Sequence, residues 1–454
     1  MNHELVTESN FNRLSIVVME KYGYTYPESL DKLNKLTLFV DCNDIINESV
    51  ACQIALLTVI NTGKRAFLGG VYVRIPKNTQ LLIKWPGGAS LIEIITALGA
   101  NLVNNGKGNY DFKLNIGINP RAENELQLVN NGWIGGVIAY DDPITMPENS
   151  LYDYPIAGVM SGSLAVGLGF LKVTGIDILA AENSVLISLW RPDLNWKDNE
   201  AIGPKLEYLP QKYWILGLGH LGQAHLWNIG FLPYPDEQPA QLLLQDFDKV
   251  IKGNYTAGLL CEETSIGKFK TRICSDWLER RNFQTVICER RYDGNTIREN
   301  DEPYIALSGF DSSDPRLHLE KSGFDLVVEC GLGGRLDNFD EFILHTFPNG
   351  QKTPQGLWGN LKKSTLRHKT VLNEFQPLKH CGILAMTLAS KAISASFVGA
   401  FTSSFAISEV IRGLHDGYRY DDVTLSFRDM NNRVARILSK YNTETSRNGF
   451  IKIN

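Results

Sequence analysis

The amino-acid sequence predicts an α/β protein built from two tandem units, each with a doubly wound, mostly parallel sheet. Short apolar strands alternate with helical segments along most of the 454-residue chain, an order that is typical of parallel sheets. A glycine-rich turn at residues 217–222 stands between a strand and a helix. A helix of small residues followed by a polar strand occurs twice, at 158–193 and at 399–429.

The first third of the chain shows this alternation without a glycine-rich turn. Residues 1–35 read as a polar helical lead-in, and a strand then ends in Asp41-Cys42-Asn43-Asp44. The apolar patterns then predict further helices at 50–59 and 87–99 and further strands at 66–75, 112–118 and 136–140. The longest apolar stretches, 156–173 and 393–411, are broken by glycine and charged residues, so we expect buried helices and no membrane span.

The two copies of the helix-and-strand pattern indicate an internal repeat. Gly158–Lys172 precedes Leu186–Asp193, and Gly399–Arg412 precedes Leu425–Asp429. We therefore expect a degenerate, inactive Rossmann-like half at 1–195, the first half, and a nucleotide-binding half at 205–454, the second half. A polar, proline-containing stretch between them is the expected linker.

The second half opens with the residues that carry the functional prediction. A buried strand at 213–216 leads into Gly217-Leu-Gly219-His-Leu-Gly222, and an apolar-periodic helix follows. A second strand, 242–244, is followed by Asp246. In nucleotide-binding units, such glycines let backbone N–H groups approach phosphates at a helix N-terminus, and the acid takes a ribose hydroxyl. An NAD(P)-dependent oxidoreductase is one protein class with this pattern.

The residues after Asp246 resemble another class, the ubiquitin-activating-enzyme-like superfamily of ThiF/MoeB-type adenylyltransferases. Asp246-Phe-Asp248 is followed by Asn254 and by Gly267-Lys-Phe-Lys270, similar to that family's acidic pair, asparagine and helix-opening lysine. The resemblance implies that Asp246 binds the ATP ribose and that Asn254 and Lys270 reach the phosphates. It also implies ATP and Mg²⁺ as cofactors and adenylation of a carboxylate, with the C-terminal glycine of a ubiquitin-like or other small carrier protein as its most typical source.

The sequence departs from the family pattern at two charged positions. Ala257 stands where the family has an arginine, and Leu332 stands where it has the aspartate that holds Mg²⁺. Asp337 is the candidate replacement for that metal ligand. These departures leave a catalytically inactive nucleotide-binding scaffold or partner subunit as an alternative, since adenylyl transfer depends on charge neutralisation.

Cys381 is the candidate nucleophile for a thioester, because it follows Lys379 and His380 at an expected helix start, where a thiol pKa is lowered. Lys270 is the second candidate catalytic residue. Cys330, at the end of a core strand, is the alternative nucleophile. We expect His345 to be structural and His220 either to touch a phosphate or to fill the glycine turn.

Composition narrows the possible environment and partners. The formal net charge is −5, and no basic run suggests nucleic-acid binding. The seven cysteines are scattered without a C-x-x-C pair, so neither a zinc site nor a disulfide framework is indicated, and a reducing cytoplasm is expected. The resemblance implies a homodimer and adds a conjugating enzyme as a further candidate partner. Two halves in one chain could form the dimer-like interface internally.

Overall fold

The computed structural model describes residues 6–146, 152–360, 368–375, 382–441 and 449–453. Two large sheets dominate the fold. The first half begins with two helices, α1 (Ser15–Tyr22) and α2 (Tyr26–Leu33). Its other elements are β1 Thr37–Cys42, α3 Val50–Gly63, β2 Gly70–Arg74, α4 Leu91–Ala97, β3 Asn101–Leu102, β4 Phe112–Ile116, β5 Glu125–Asn131, β6 Ile134–Ala139, α5 Pro155–Val173 and β7 Val185–Ser188.

The second half begins with a short strand, β8 (Tyr208–Pro210), which pairs with the last described strand, β17 (Phe450–Lys452). Its other elements are β9 Lys212–Leu216, α6 His220–Ile229, β10 Gln241–Gln245, α7 Lys270–Glu279, β11 Gln284–Cys288, β12 Ile305–Ser308, α8 Ser313–Arg316, β13 Leu326–Leu332, β14 Glu341–Phe347, α9 Pro354–Trp358, α10 Lys369–Phe375, α11 Gly382–Ala389, α12 Ser396–Arg412, β15 Tyr418–Ser426 and β16 Val434–Lys440.

The two sheets share one topology. The first has the order β3-β2-β1-β4-β5-β6-β7, and the second has the order β11-β10-β9-β12-β13-β14-β15-β16. In each sheet the first strand is central, the first five strands are parallel, and the later strands are antiparallel. This confirms the predicted fold class of two tandem Rossmann-like units.

The repeated helices α5 and α12 pack against each other where the halves meet. Glycines allow close approach within each half: a Cβ on Gly158 would lie 2.3 Å from the Ala51 carbonyl oxygen of α3, and one on Gly399 would lie 2.3 Å from the His220 ring of α6. Across the halves, a Cβ on Gly167 would lie 2.2 Å from the ring of Phe427. The small residues of the repeat therefore let α5 and α12 pack closely on helices of their own halves, and Gly167 lets the two halves approach each other.

Among the described helices, α5 is long and apolar enough to span a membrane by length and composition, but 89% of its most apolar window is buried inside the fold. This burial agrees with the expected buried helix.

Several element bounds differ from the prediction. The helix expected at 87–99 begins at Leu91, because Gly87 and Gly88 have positive φ angles and Ser90 accepts a capping hydrogen bond from the Glu93 N–H. The helix expected to end at 59 continues through Gly63. Strand β5 was not predicted.

The first half has no open glycine turn after its first strand. The carboxamide oxygen of Asn43 accepts a hydrogen bond from the Ile45 N–H. A Cβ on Gly117 would lie 2.0 Å from that oxygen, so the Asn43 side chain fills the space above the end of β1. The degenerate, inactive character of the first half stays a prediction.

Candidate nucleotide-binding site

The glycine turn between β9 and α6 has the backbone geometry that its sequence predicts. Gly217 has φ +83°, in the left-handed region that favours glycine. A Cβ on Gly222 would lie 1.9 Å from the Gly217 carbonyl oxygen, so only glycine lets the helix begin this close to the strand. A Cβ on Gly219 would meet nothing within 4 Å. The turn is therefore closely packed between Gly217 and Gly222, and it leaves free space next to Gly219.

Asp246 ties this turn to the second strand. One carboxylate oxygen accepts a hydrogen bond from the Leu218 N–H at 2.6 Å, and the other accepts one from the Asp248 N–H at 2.7 Å. Burial raises the pKa of Asp246, and the nearby Lys270 charge opposes that rise. Each oxygen keeps a further acceptor site. A ribose hydroxyl could therefore bind without breaking the two backbone contacts, but the ribose-binding role of Asp246 stays a prediction.

Lys270 and Asp248 form an ion pair beside Asp246, with 2.8 Å between Nζ and Oδ2. Lys270 is the first residue of α7, and its backbone N–H donates to the Asp248 carbonyl. Its side chain is 9% exposed, whereas that of Asp248 is 51% exposed. An anion could therefore compete with an exposed carboxylate for a well-held ammonium group.

Asn254 lies in the short 3₁₀ turn Lys252–Thr256. Its side-chain oxygen accepts a hydrogen bond from the Ile251 N–H at 3.0 Å. The Gly253 N–H at this turn donates to the Ser9 carbonyl, so the N-terminal segment packs on the same loop. The structure thus places the predicted nucleotide-binding residues on two connections of one half, the β9–α6 turn and the segment from the end of β10 to the start of α7. Their individual roles stay predictions.

Two arginines near this site were missed by the sequence reasoning. Arg65, two residues after the end of α3 in the first half, is buried and donates hydrogen bonds to the carbonyl oxygens of Tyr255, Gly258 and Cys261. Arg13, from the lead-in, lies within electrostatic range of Asp311 and His220, and burial lowers its pKa. Neither arginine belongs to a local motif, so no signal in the sequence pointed to them.

His220 does not face the open side of the turn. Its Nδ1 lies 2.9 Å from the Ser394 hydroxyl, and the ring packs on Gly399 of α12. Burial, with the Arg13 charge as a further cause, lowers the His220 pKa to about 4. The ring is therefore neutral at pH 7 and fills the base of the turn, which is the second of its two predicted roles.

The candidate nucleophiles lie in contrasting places. Cys381 falls outside the described residues. Cys330 is buried in β13, and burial raises the pKa of its thiol well above the usual range. A thiol with a raised pKa is a poor nucleophile.

His345, buried on β14, has a pKa lowered to about 4 by burial and the Lys352 charge, and it lies apart from the glycine turn on another strand.

The predicted metal ligand Asp337 is exposed and pairs with Arg335, with 3.2 Å between Oδ1 and Nε. Both line a cavity of about 420 Å³ with Glu20, Lys21, Ile176, Leu336, His368 and Arg428. Glu329, the other acid near the end of β13, is buried against Arg316, and burial raises its pKa to about 7. Over the described ranges, no group of three or more His, Cys, Asp or Glu side chains could hold a metal. The role of Asp337 as a metal ligand stays a prediction.

The fold is that of the ubiquitin-activating-enzyme-like superfamily, as the resemblance predicted. Residues 209–417 match the family described as "BilD C-terminal domain", and residues 37–189 match "BilD N-terminal domain". The "Bacterial E1-like protein BilD" of Collimonas sp. (strain OK412) is 32% identical over 404 residues, which cover 87% of each chain. The chain belongs to the BilD family.

More distant similarity extends to solved structures. The E. coli tRNA N6-threonylcarbamoyladenosine dehydratase TcdA, solved in complex with ATP, is 14% identical with a TM-score of 0.31, over 44% of this chain and 84% of TcdA. The E. coli MccB structure, solved with MccA-N7isoASN, is 13% identical with a TM-score of 0.34, over 52% of this chain and 66% of MccB.

Proposed function

We propose that the protein is an adenylyltransferase that uses ATP to activate a carboxylate, most typically the C-terminal glycine of a ubiquitin-like carrier protein. Membership of a family whose curated relative is named E1-like supports this activity. The observation that carries the proposal is the convergence of Asp246, the Lys270–Asp248 ion pair and the open side of Gly219 on one set of loops.

In the proposed reaction, a carboxylate oxygen of the carrier attacks the α-phosphorus of ATP. A new P–O bond forms, the bond between the α-phosphorus and the bridging oxygen breaks, and pyrophosphate leaves with the electron pair. The chain contributes positioning and charge: backbone N–H groups of the glycine turn bind phosphate oxygens, and Lys270 exchanges Asp248 for phosphate. Asp246 holds the turn and accepts from the ribose. Magnesium enters with ATP as part of the substrate.

The direct test is ATP–pyrophosphate exchange with purified glycine-ended ubiquitin-like proteins as acceptors. Asp246→Ala and Lys270→Ala should each abolish exchange, because one variant loses the ribose acceptor and the other the phosphate-facing charge. Asp41→Ala is the matched control: Asp41 is an equally buried carboxylate, paired with Arg74 in the first half, and this variant should keep exchange. Full exchange in both second-half variants would refute the proposal.

A nucleotide-binding scaffold without chemistry is the second candidate. Ala257 and the ion pair that engages Asp337 favour it. This candidate predicts ATP binding that depends on Asp246, with no pyrophosphate exchange for any acceptor tested. An NAD(P)-dependent oxidoreductase would instead bind NAD in preference to ATP, and it leaves the Lys270–Asp248 pair without a role.

A further inference from the structure

Arg65 is a fully buried side chain of the first half that binds a loop of the nucleotide-binding half. Its Nε donates to the Tyr255 carbonyl at 3.1 Å, and Nη2 donates to the carbonyls of Gly258 at 2.9 Å and Cys261 at 3.1 Å. Its Nη1 donates to the backbone and side-chain oxygens of Asn61. The guanidinium N–H groups therefore donate to oxygens of Asn61 and of residues 255–261. These hydrogen bonds hold the loop that follows Asn254.

Neighbouring side chains of the same helix end hold this loop as well. The Asn61 carboxamide, itself bound by Arg65, donates to the Leu259 carbonyl at 3.1 Å. Lys64 forms an ion pair with Glu262, with 3.5 Å between the charged atoms. Residues 255–262 are thus fixed by the last turn of α3 and the residues just after it, and the conformation of this loop depends on the first half.

The charge of Arg65 has no direct ion-pair partner among the residues that the structure describes. Its hydrogen-bond partners are neutral carbonyl and carboxamide oxygens, which is a costly way to bury a cation. The Glu262 carboxylate, itself paired with Lys64, acts on Arg65 electrostatically without a direct contact. The charge acts on His220 at the start of α6. Two of the carbonyl oxygens that Arg65 binds, those of Tyr255 and Gly258, flank Ala257, where the resemblance implies an arginine. A positive charge is therefore present near the glycine turn, supplied by the other half of the chain.

We propose that Arg65 is a positioning residue of the nucleotide site: it fixes the loop after Asn254 and places a positive charge beside the bound phosphates. The loop-fixing part stands on the contacts alone, and the phosphate part rests on the proposed function. By this inference, the degenerate first half is a working component of the site, and its separation from the second half would weaken nucleotide binding.

The test compares full-length Arg65→Met and Arg65→Lys with wild type in ATP–Mg²⁺ titration calorimetry and in amide hydrogen exchange without nucleotide. Arg65→Met should raise the Kd for ATP about tenfold or more, because the loop after Asn254 loses the hydrogen bonds that fix it and the site loses a positive charge. Arg65→Lys keeps the charge but not the planar fork of donors, so its Kd should rise less. Amide exchange across residues 254–262 should be faster in both variants.

Arg412→Met is the matched control, since Arg412 is also fully buried and also joins the halves, through a hydrogen bond to the Leu189 carbonyl. It should lower stability while leaving ATP affinity within about twofold of wild type. If Arg65→Met does not fold, Asn61→Ala replaces it and should give the same faster exchange at 254–262.

Folded Arg65 variants with wild-type ATP affinity and unchanged exchange at 254–262 would overturn the inference. Wild-type protein that binds no ATP would instead refute the proposed function and, with it, the phosphate part. Faster exchange at 254–262 in the Arg65 variants would still support the loop-fixing part in that case.

Discussion

Replacing Gly219 by alanine separates nucleotide binding from the stability of the fold. Gly219 is the N-cap of α6, with φ −72° and ψ −151°, a conformation that alanine adopts without strain. The added Cβ would meet no atom within 4 Å. Alanine is a poorer N-cap than glycine by roughly 0.5–1 kcal/mol, and the reduced freedom of the unfolded chain offsets about 0.4–1 kcal/mol of that loss. The free energy of unfolding without ligand should therefore change by less than about 1 kcal/mol.

Nucleotide affinity should respond much more strongly to the same methyl group. Phosphate oxygens bind to the N–H groups of such a turn because glycine lets the backbone approach them closely. A methyl group on the open side pushes the phosphates away from those donors. The loss of one or two charge-assisted hydrogen bonds costs about 1.5–3 kcal/mol, equivalent to a Kd for ATP that is roughly ten- to hundredfold higher.

The assay is ATP–Mg²⁺ titration calorimetry on Gly219→Ala, with urea denaturation of the free protein. Gly222→Ala is the contrast, because its Cβ would lie 1.9 Å from the Gly217 carbonyl oxygen, so this variant should lose stability even without ligand. Wild-type ATP affinity in Gly219→Ala would refute the placement of the phosphates on this turn.

Three further predictions concern other groups. Asp246→Ala leaves the Leu218 and Asp248 N–H groups without their acceptor. The free energy of unfolding without ligand, measured by urea denaturation, should therefore fall by about 2–5 kcal/mol. An unchanged urea midpoint would show that these two hydrogen bonds do not stabilise the turn. The pKa values of His220 and His225 are both lowered to about 4 by burial, so the unfolded chain binds more protons between pH 6.5 and 4, and stability should fall as pH falls through that window. His225→Gln should make the dependence of stability on pH less steep. An equally steep fall in that variant would count against His225 as one of the groups that cause it. Cys381→Ala should abolish any thioester seen by non-reducing mass spectrometry after charging, and a thioester in that variant rules Cys381 out.

The fold could be predicted from the sequence where local patterns were strong. The alternation of strands and helices, the repeated helices and the glycine turn each come from short runs of residues, and the structure confirms the tandem arrangement. Strand β5 was missed because its pattern, Glu-Leu-Gln-Leu-Val-Asn-Asn, ends in polar residues that are common in loops. The start of α4 was misplaced because two glycines with positive φ precede its cap.

The site was predictable as far as it lies on one continuous motif. Asp246, Asp248 and Lys270 are brought together by the βαβ connection itself, and their ion pair follows from the spacing. Arg65 was not predictable, since its contacts join residues that are about 190 positions apart in the chain. Such contacts depend on how the halves pack, which no local pattern encodes.

The measurement that tests the central claim most directly is a thermal-shift titration of the full chain with ATP–Mg²⁺, AMP and NAD, beside Asp246→Ala. A ligand at one hundred times its Kd stabilises the folded state by roughly 2.7 kcal/mol, which is readily detected. The account predicts a shift with ATP and AMP, none with NAD, and loss of the shift in Asp246→Ala. A shift with NAD alone, or no shift with either adenine nucleotide, would contradict it.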